Sequence, residues 1–194
     1  MSSKKLGILA IIAAVMVVWA VVVSNRSEQS TVSKPTRGGY LLQGLDPDDV
    51  AKIEVTSSAG TEEAKKVTLN RSGGHFVVAQ KNNYPAKIDR VNDIFERLLD
   101  VKIDEHITDN PENFEDLGLT EEDAQYTIKV YNASDELVTG LICGDMKSAE
   151  GGSQRQFPQN SGRFVKIINS NDAYLTRSRL YFGADPINYI DQKL

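Results

Sequence analysis

The sequence predicts an α+β fold: antiparallel β-meanders with one packed amphipathic helix, preceded by a single N-terminal transmembrane helix. Three observations predict it. Short stretches such as Ile53-Glu54-Val55 and Tyr126-Thr127-Ile128-Lys129-Val130-Tyr131 alternate apolar with polar residues, the period of a half-buried strand. Ile88, Val91, Ile94, Phe95 and Leu98 recur at helical spacing, with Asp89, Arg90, Asp93, Glu96 and Arg97 on the opposite face. Residues 6–23 form an eighteen-residue stretch without a charge.

That first stretch organises the chain. At about 1.5 Å rise per residue it spans roughly 27 Å as a helix, close to a hydrocarbon core of about 30 Å. Eleven of its residues are Leu, Ile or Val. Their insertion contributes at most about −3 to −6 kcal/mol. Trp19 lies near the outer end, and Lys4 and Lys5 favour a cytoplasmic N-terminus, weakly opposed by Arg26. The expectation is a cytoplasmic end at 1–5, an anchor at 6–23, a linker at 24–39 and an extracytoplasmic domain at 40–194. A cleaved signal peptide is the competing reading, with Val22-Val23-Ser24 as its cleavage pattern. Either way the domain works outside the cytoplasm.

Residues 24–39 carry one large apolar residue, Val32, among Ser, Thr, charges, Pro35 and Gly38-Gly39. As random coil they reach roughly 22 Å. Of the chain's 22 basic residues only Lys4 and Lys5 precede Ser24, so the remainder carries 20 against 27 acidic residues, a net charge of −7. That surface argues against nucleic acid and against docking on anionic lipid. Cys143 is the single cysteine, so stability rests on packing without an internal disulfide.

The remaining elements read in order. Asp46-Pro47-Asp48-Asp49 is a capped helical turn. Strands are expected at 51–55, 67–69 and 75–78, the last two joined by Ser72-Gly73-Gly74. Tyr84-Pro85 breaks the strand pattern, the helix follows, and Val101 and Ile103 carry the chain back as a strand. Asn110-Pro111 opens a short capped helix that Gly118 closes. A second meander takes in 126–131, 137–143, 163–168 and 173–176. Residues 144–162 are a long loop rich in Gly, Ser and Gln, a length usually functional or mobile. Asp185-Pro186-Ile187 opens a last helix.

Candidate chemistry is sparse. Asp46, Asp48 and Asp49 lack the glycine and distal glutamate of a calcium loop. His75 and His106 stand apart, without a cysteine neighbour or an HExxH pattern. Neither a GxSxG elbow nor a GxxxxGKS phosphate loop is present. The residues therefore name no catalytic group, no metal ligand and no cofactor. The candidate ligand or partner loop is 144–162, with Gly144, Asp145, Gly151, Gly152 and Arg155; its glycines suit a backbone anion nest, or simply a hairpin loop.

The run Gly44-Leu45-Asp46-Pro47-Asp48-Asp49-Val50, the Gly-Gly hairpin, Tyr84-Pro85-Ala86, Asn113-Phe114-Glu115-Asp116-Leu117-Gly118-Leu119, Leu141-Ile142-Cys143-Gly144-Asp145 and Arg163-Phe164-Val165 together resemble the bacterial domain of unknown function 4340 family, over residues 42–194. Members are typically anchored bacterial proteins, some associated with ABC-type export or gliding-motility-like transporter components. The resemblance implies a single-pass protein of the bacterial inner membrane with an accessory or binding role and a protein partner in the envelope. Two other readings stay open: an exported carboxylate-based hydrolase or carbohydrate-active enzyme, and a structural subunit of a membrane complex. Family members often continue past Asp185-Pro186-Ile187 into a second module, so the chain reads as a one-module or truncated member.

Overall fold

A computed structural model of the chain describes residues 36–58, 64–147 and 161–191. Nine strands form one antiparallel sheet: β1 (Lys52–Ser57), β2 (Lys65–Ser72), β3 (His75–Val78), β4 (Tyr84–Pro85), β5 (Glu105–Thr108), β6 (Tyr126–Tyr131), β7 (Leu137–Lys147), β8 (Gly162–Ile167) and β9 (Ala173–Thr176). Their order across the sheet is β4-β3-β2-β1-β6-β7-β8-β9-β5. Two meanders, one running outward from β1 and the other from β6, are joined side by side by six residue pairs from Lys52↔Tyr131 to Ser57↔Tyr126. The expectation of α+β with antiparallel meanders holds for these residues, and the meanders share one continuous sheet. The proposed anchor at 6–23 lies outside the described residues. Among those described, no helix is long and apolar enough to cross a membrane.

Strand alternation sorts the core. Ile53, Val55, Val67, Leu69, Ile128, Val130, Leu141 and Cys143 lie on one face and are fully buried. The helix α1 (Ile88–Leu99) closes that face with Val91, Ile94, Phe95 and Leu98, the stripe its spacing predicts. A smaller cluster lies on the other face, where Ile142 and Ala173 meet Phe114, Leu119 and Ala124. Adjacent residues of β7 thus serve opposite cores, as a period of two requires.

Several elements differ from expectation for clear reasons. Asn110 and Asp185 cap as predicted, accepting from the Glu112 and Ile187 amides, but the turns they open are 3-10 turns, Pro111–Asn113 and Pro186–Tyr189. Val101 and Ile103 are buried, yet their backbones pair with the incoming chain: Leu41 N–H donates to Val101 C=O (2.7 Å) and Ile103 N–H to Gly39 C=O (2.9 Å). The strand comes two residues later as β5, at the edge beside β9. Tyr84-Pro85 does form a strand, two residues long, and at a sheet edge the missing proline N–H costs no ladder bond. The strand ending at Cys143 runs on to Lys147, with a bulge between Cys143 and Met146.

Leu98 is wholly buried under the helix, whereas Ile88 is 72% exposed at its start. Leu98→Ala is expected to destabilise the fold by about 2–5 kcal/mol, and Ile88→Ala by less than about 0.5 kcal/mol. Urea unfolding of the full-length chain, followed by circular dichroism, checks both.

Candidate functional site

Of the predicted loop residues, the structure describes Gly144 and Asp145; Gly151, Gly152 and Arg155 lie outside the described residues. Gly144 sits in the β7 bulge, against the turn that ends at Leu119. A Cβ on Gly144 would stand 2.2 Å from the Leu117 carbonyl oxygen and 2.8 Å from that of Gly118. Gly118 itself has φ +63, which favours glycine, and a Cβ there would press on Asp145. The Asp145 N–H donates to Leu117 C=O at 3.0 Å. That donor is therefore already used inside the protein.

A second layer holds the bulge. Arg163 of β8 donates through one guanidinium nitrogen to Gly144 C=O (2.7 Å) and to Gln125 Oε1 (2.8 Å), and its guanidinium lies 5.6 Å from the Tyr126 ring centre. Gln125 donates in turn to Asp145 Oδ1 at 3.3 Å. Burial raises the Tyr126 hydroxyl pKa while Arg163 pulls it back. Gly144, Asp145, Gln125 and Arg163 thus form a latch that clamps the Leu117-Gly118 turn onto the sheet. Gln125 and Arg163 escaped sequence reasoning as partners of this step, because 19 to 38 residues of chain separate the groups that meet.

The remaining polar and charged groups are spread apart. Asp46 accepts from the Asp48 N–H (2.9 Å) as a cap. His75 starts β3, exposed, while His106 on β5 bonds Asp172 at 2.9 Å and lies edge-on to Tyr174. Glu121 pairs with Lys129 at 2.6 Å. Lys166, nearly buried, donates to Ser170 C=O (3.1 Å) over the Phe114 ring, and burial lowers its pKa. Among the described residues, no group of three or more His, Cys, Asp or Glu is placed to hold a metal ion.

The recessed surface lies elsewhere, along the outer flank of α1. Residues 180–190 form a strap beside the helix. Lys87 N–H donates to Tyr189 C=O (2.7 Å), the Tyr189 hydroxyl donates to Gly183 C=O (2.6 Å), and Phe182 is buried beneath. Between helix and strap is a hollow of about 270 Å³, lined by Arg90, Asp93, Arg97, Tyr181, Gly183 and Asn188 among others. It shares Asp93 and Arg97 with a wider hollow of about 790 Å³ lined by Tyr40, Glu96, Asp100, Ser178 and Arg179. The two hollows adjoin at these residues along the helix and are treated together as the depression along α1. None of these residues stood out in the sequence, where each reads as an exposed helix charge or a turn residue.

The model of the family described as domain of unknown function DUF4340 matches residues 77–194. The chain belongs to the DUF4340 family. The matched part of this DUF4340 chain holds the helix, the latch and the strap together. No curated protein and no solved structure matches the chain.

The latch has a steric test. Gly144→Ala is expected to cost about 2–3 kcal/mol, since backbone carbonyls cannot yield as a side chain would. Asp145→Ala, which removes one exposed 3.3 Å contact, is expected to cost less than about 1 kcal/mol. Urea midpoints of the two variants separate the effects.

The buried acids of this DUF4340 chain also set a pH limit. Burial pushes the Cys143 thiol from 9.0 to about 12 and the Tyr189 hydroxyl from 10.0 to about 12. Burial, with the Glu54 carboxylate next, does the same for Tyr131. Each proton is held more tightly folded than unfolded, so stability is full below about pH 9 and falls as pH rises toward 12. Urea midpoints measured from pH 8 to 11 are expected to drop with this sign, less steeply for Tyr131→Phe.

Proposed function

We propose that this chain is a membrane-tethered binding domain, held on the outer side of the bacterial cytoplasmic membrane by residues 6–23, which presents the α1–strap depression to a protein partner in the envelope. The observation that carries this reading is the depression itself. It is a hollow whose arginines and exposed Tyr181 (65%) are residue types enriched where proteins meet.

Other features support it. The uncharged stretch at 6–23 is long enough to cross a bilayer, and the basic pair before it favours a cytoplasmic N-terminus. The acidic balance of the remainder disfavours nucleic acid and anionic lipid as partners. The resemblance to anchored proteins, some associated with ABC-type transporter components, agrees with a role as an accessory to such a complex.

Fusions after residue 40 test the topology: alkaline phosphatase is expected to be active and a cytosol-dependent fluorescent reporter dark. A photo-cross-linking side chain at Tyr181 is expected to trap one discrete product in intact cells, and one at Ser134, on the exposed β6–β7 turn, none. Activity of the fusions on the cytosolic side alone, or equal trapping at both positions, would overturn the reading.

A further inference from the structure

We propose that the depression along α1 receives an extended acidic segment of the partner, with a carboxylate lodged between Arg97 and Arg179. The proposal rests on the binding role argued above and names the chemistry that role uses.

The charges around the depression are unevenly satisfied. Arg90 pairs with Asp93 (3.4 Å), Lys102 with Asp100 (3.8 Å) and Arg177 with Asp104 (3.7 Å). Arg97 and Arg179 line the same hollow and make no hydrogen bond or ion pair among the described residues. Arg97 is half-buried in the last turn of α1. The helix dipole favours a cation there but does not require its head group to sit in a cleft. Arg179 is exposed at the rim of the same hollow. An unpaired guanidinium presents a planar fork of donors, the geometry that carboxylates match two bonds at a time. Arg97 also stands close enough to the Tyr189 hydroxyl to lower its pKa, against the larger rise from burial.

The shape favours a peptide. From residue 90 to residue 100 the helix rises about 15 Å, a span that four or five extended residues cover. Tyr181 flanks one hollow and Tyr40 the other, at 65% and 44% exposure, offering aromatic surface to side chains between them. Asp93, Glu96 and Asp100 lie along the same flank, so a dense polyanion is repelled more strongly than a peptide with spaced carboxylates. Those acids separate an acidic peptide from nucleic acid or a polyphosphate.

The test uses the full-length chain in detergent micelles and a blocked, fluorescein-labelled hexapeptide of alternating Ala and Glu, with its Gln counterpart as control. Saturable anisotropy is expected for the Glu peptide, with affinity falling as salt rises, and binding of the Gln peptide at least about tenfold weaker. Arg97→Gln and Arg179→Gln are each expected to weaken the Glu peptide about tenfold, whereas Arg177→Gln, whose partner is Asp104, leaves it within about twofold. Should Arg97→Gln disturb the helix by circular dichroism, Arg179→Gln decides alone, because it lies outside the helix. Equal binding of both peptides, no saturable binding, or affinity unchanged in Arg179→Gln would overturn the proposal. If the Tyr181 cross-link still traps one product in that case, the binding role stands and only the acidic ligand falls; if it traps nothing, both fall.

Discussion

The pairing of β1 with β6 is the constraint on which the architecture depends. Lys52 faces Tyr131 and Ser57 faces Tyr126 without a register break, pairs 79 and 69 positions apart in the chain. Six ladder pairs bring Ile53 and Val55 beside Ile128 and Val130, so two half-cores become one. A slip of β1 by one residue would turn Glu54 inward and Ile53 and Val55 outward, away from Ile128 and Val130. On the polar face the same seam is tied by Tyr131, whose hydroxyl donates to Glu54 (3.3 Å), and by Lys66, which pairs with Glu54 at 3.2 Å. Lys52 lies over the Tyr131 ring and also pairs with Asp135 in the next turn. Closing so long a loop is entropically costly, and burial of a continuous apolar face offsets that cost.

Once the seam exists, both flanks are positioned. On one face α1 covers the joined core, and the strap returns to its first turn through Tyr189 and Lys87. The depression is the gap that remains where helix and strap diverge. On the other face the turn through Leu117 and Gly118 lies on the bulge of β7, held by Gly144, Gln125 and Arg163. These surfaces differ in chemistry. At the latch, Arg163 and the Asp145 amide are used within the protein; at the depression, Arg97 and Arg179 line the hollow with no hydrogen bond or ion pair among the described residues.

Much of the secondary structure was legible because its signals are local. The alternation in 126–131 and the apolar spacing in 88–99 each depend on a few neighbouring residues, and both appear where they were read. Asp46, Asn110 and Asp185 cap as their spacing to the next amides implies. β5 was missed because Val101 and Ile103, the apolar pair that suggested a strand, are buried by pairing with residues 39 and 41 instead. β4 was missed because proline reads as a strand breaker, and only its place at a sheet edge removes the objection. The latch was half legible: Gly144-Asp145 and Leu117-Gly118-Leu119 stood out as separate markers, but that they touch is a fact of the bulge.

The sequence by itself determined the α+β class, the amphipathic face of α1, the caps, the acidic balance and membership of the DUF4340 family, since each rests on residue type at short spacing or on a matching run of residues. Tertiary structure alone decided the strand order, the contact between the two glycine-bearing turns and the depression along the helix. The reason is physical. Periodicity and capping are set within a turn or two of chain, whereas a guanidinium is paired or free according to what the far ends of the chain bring beside it.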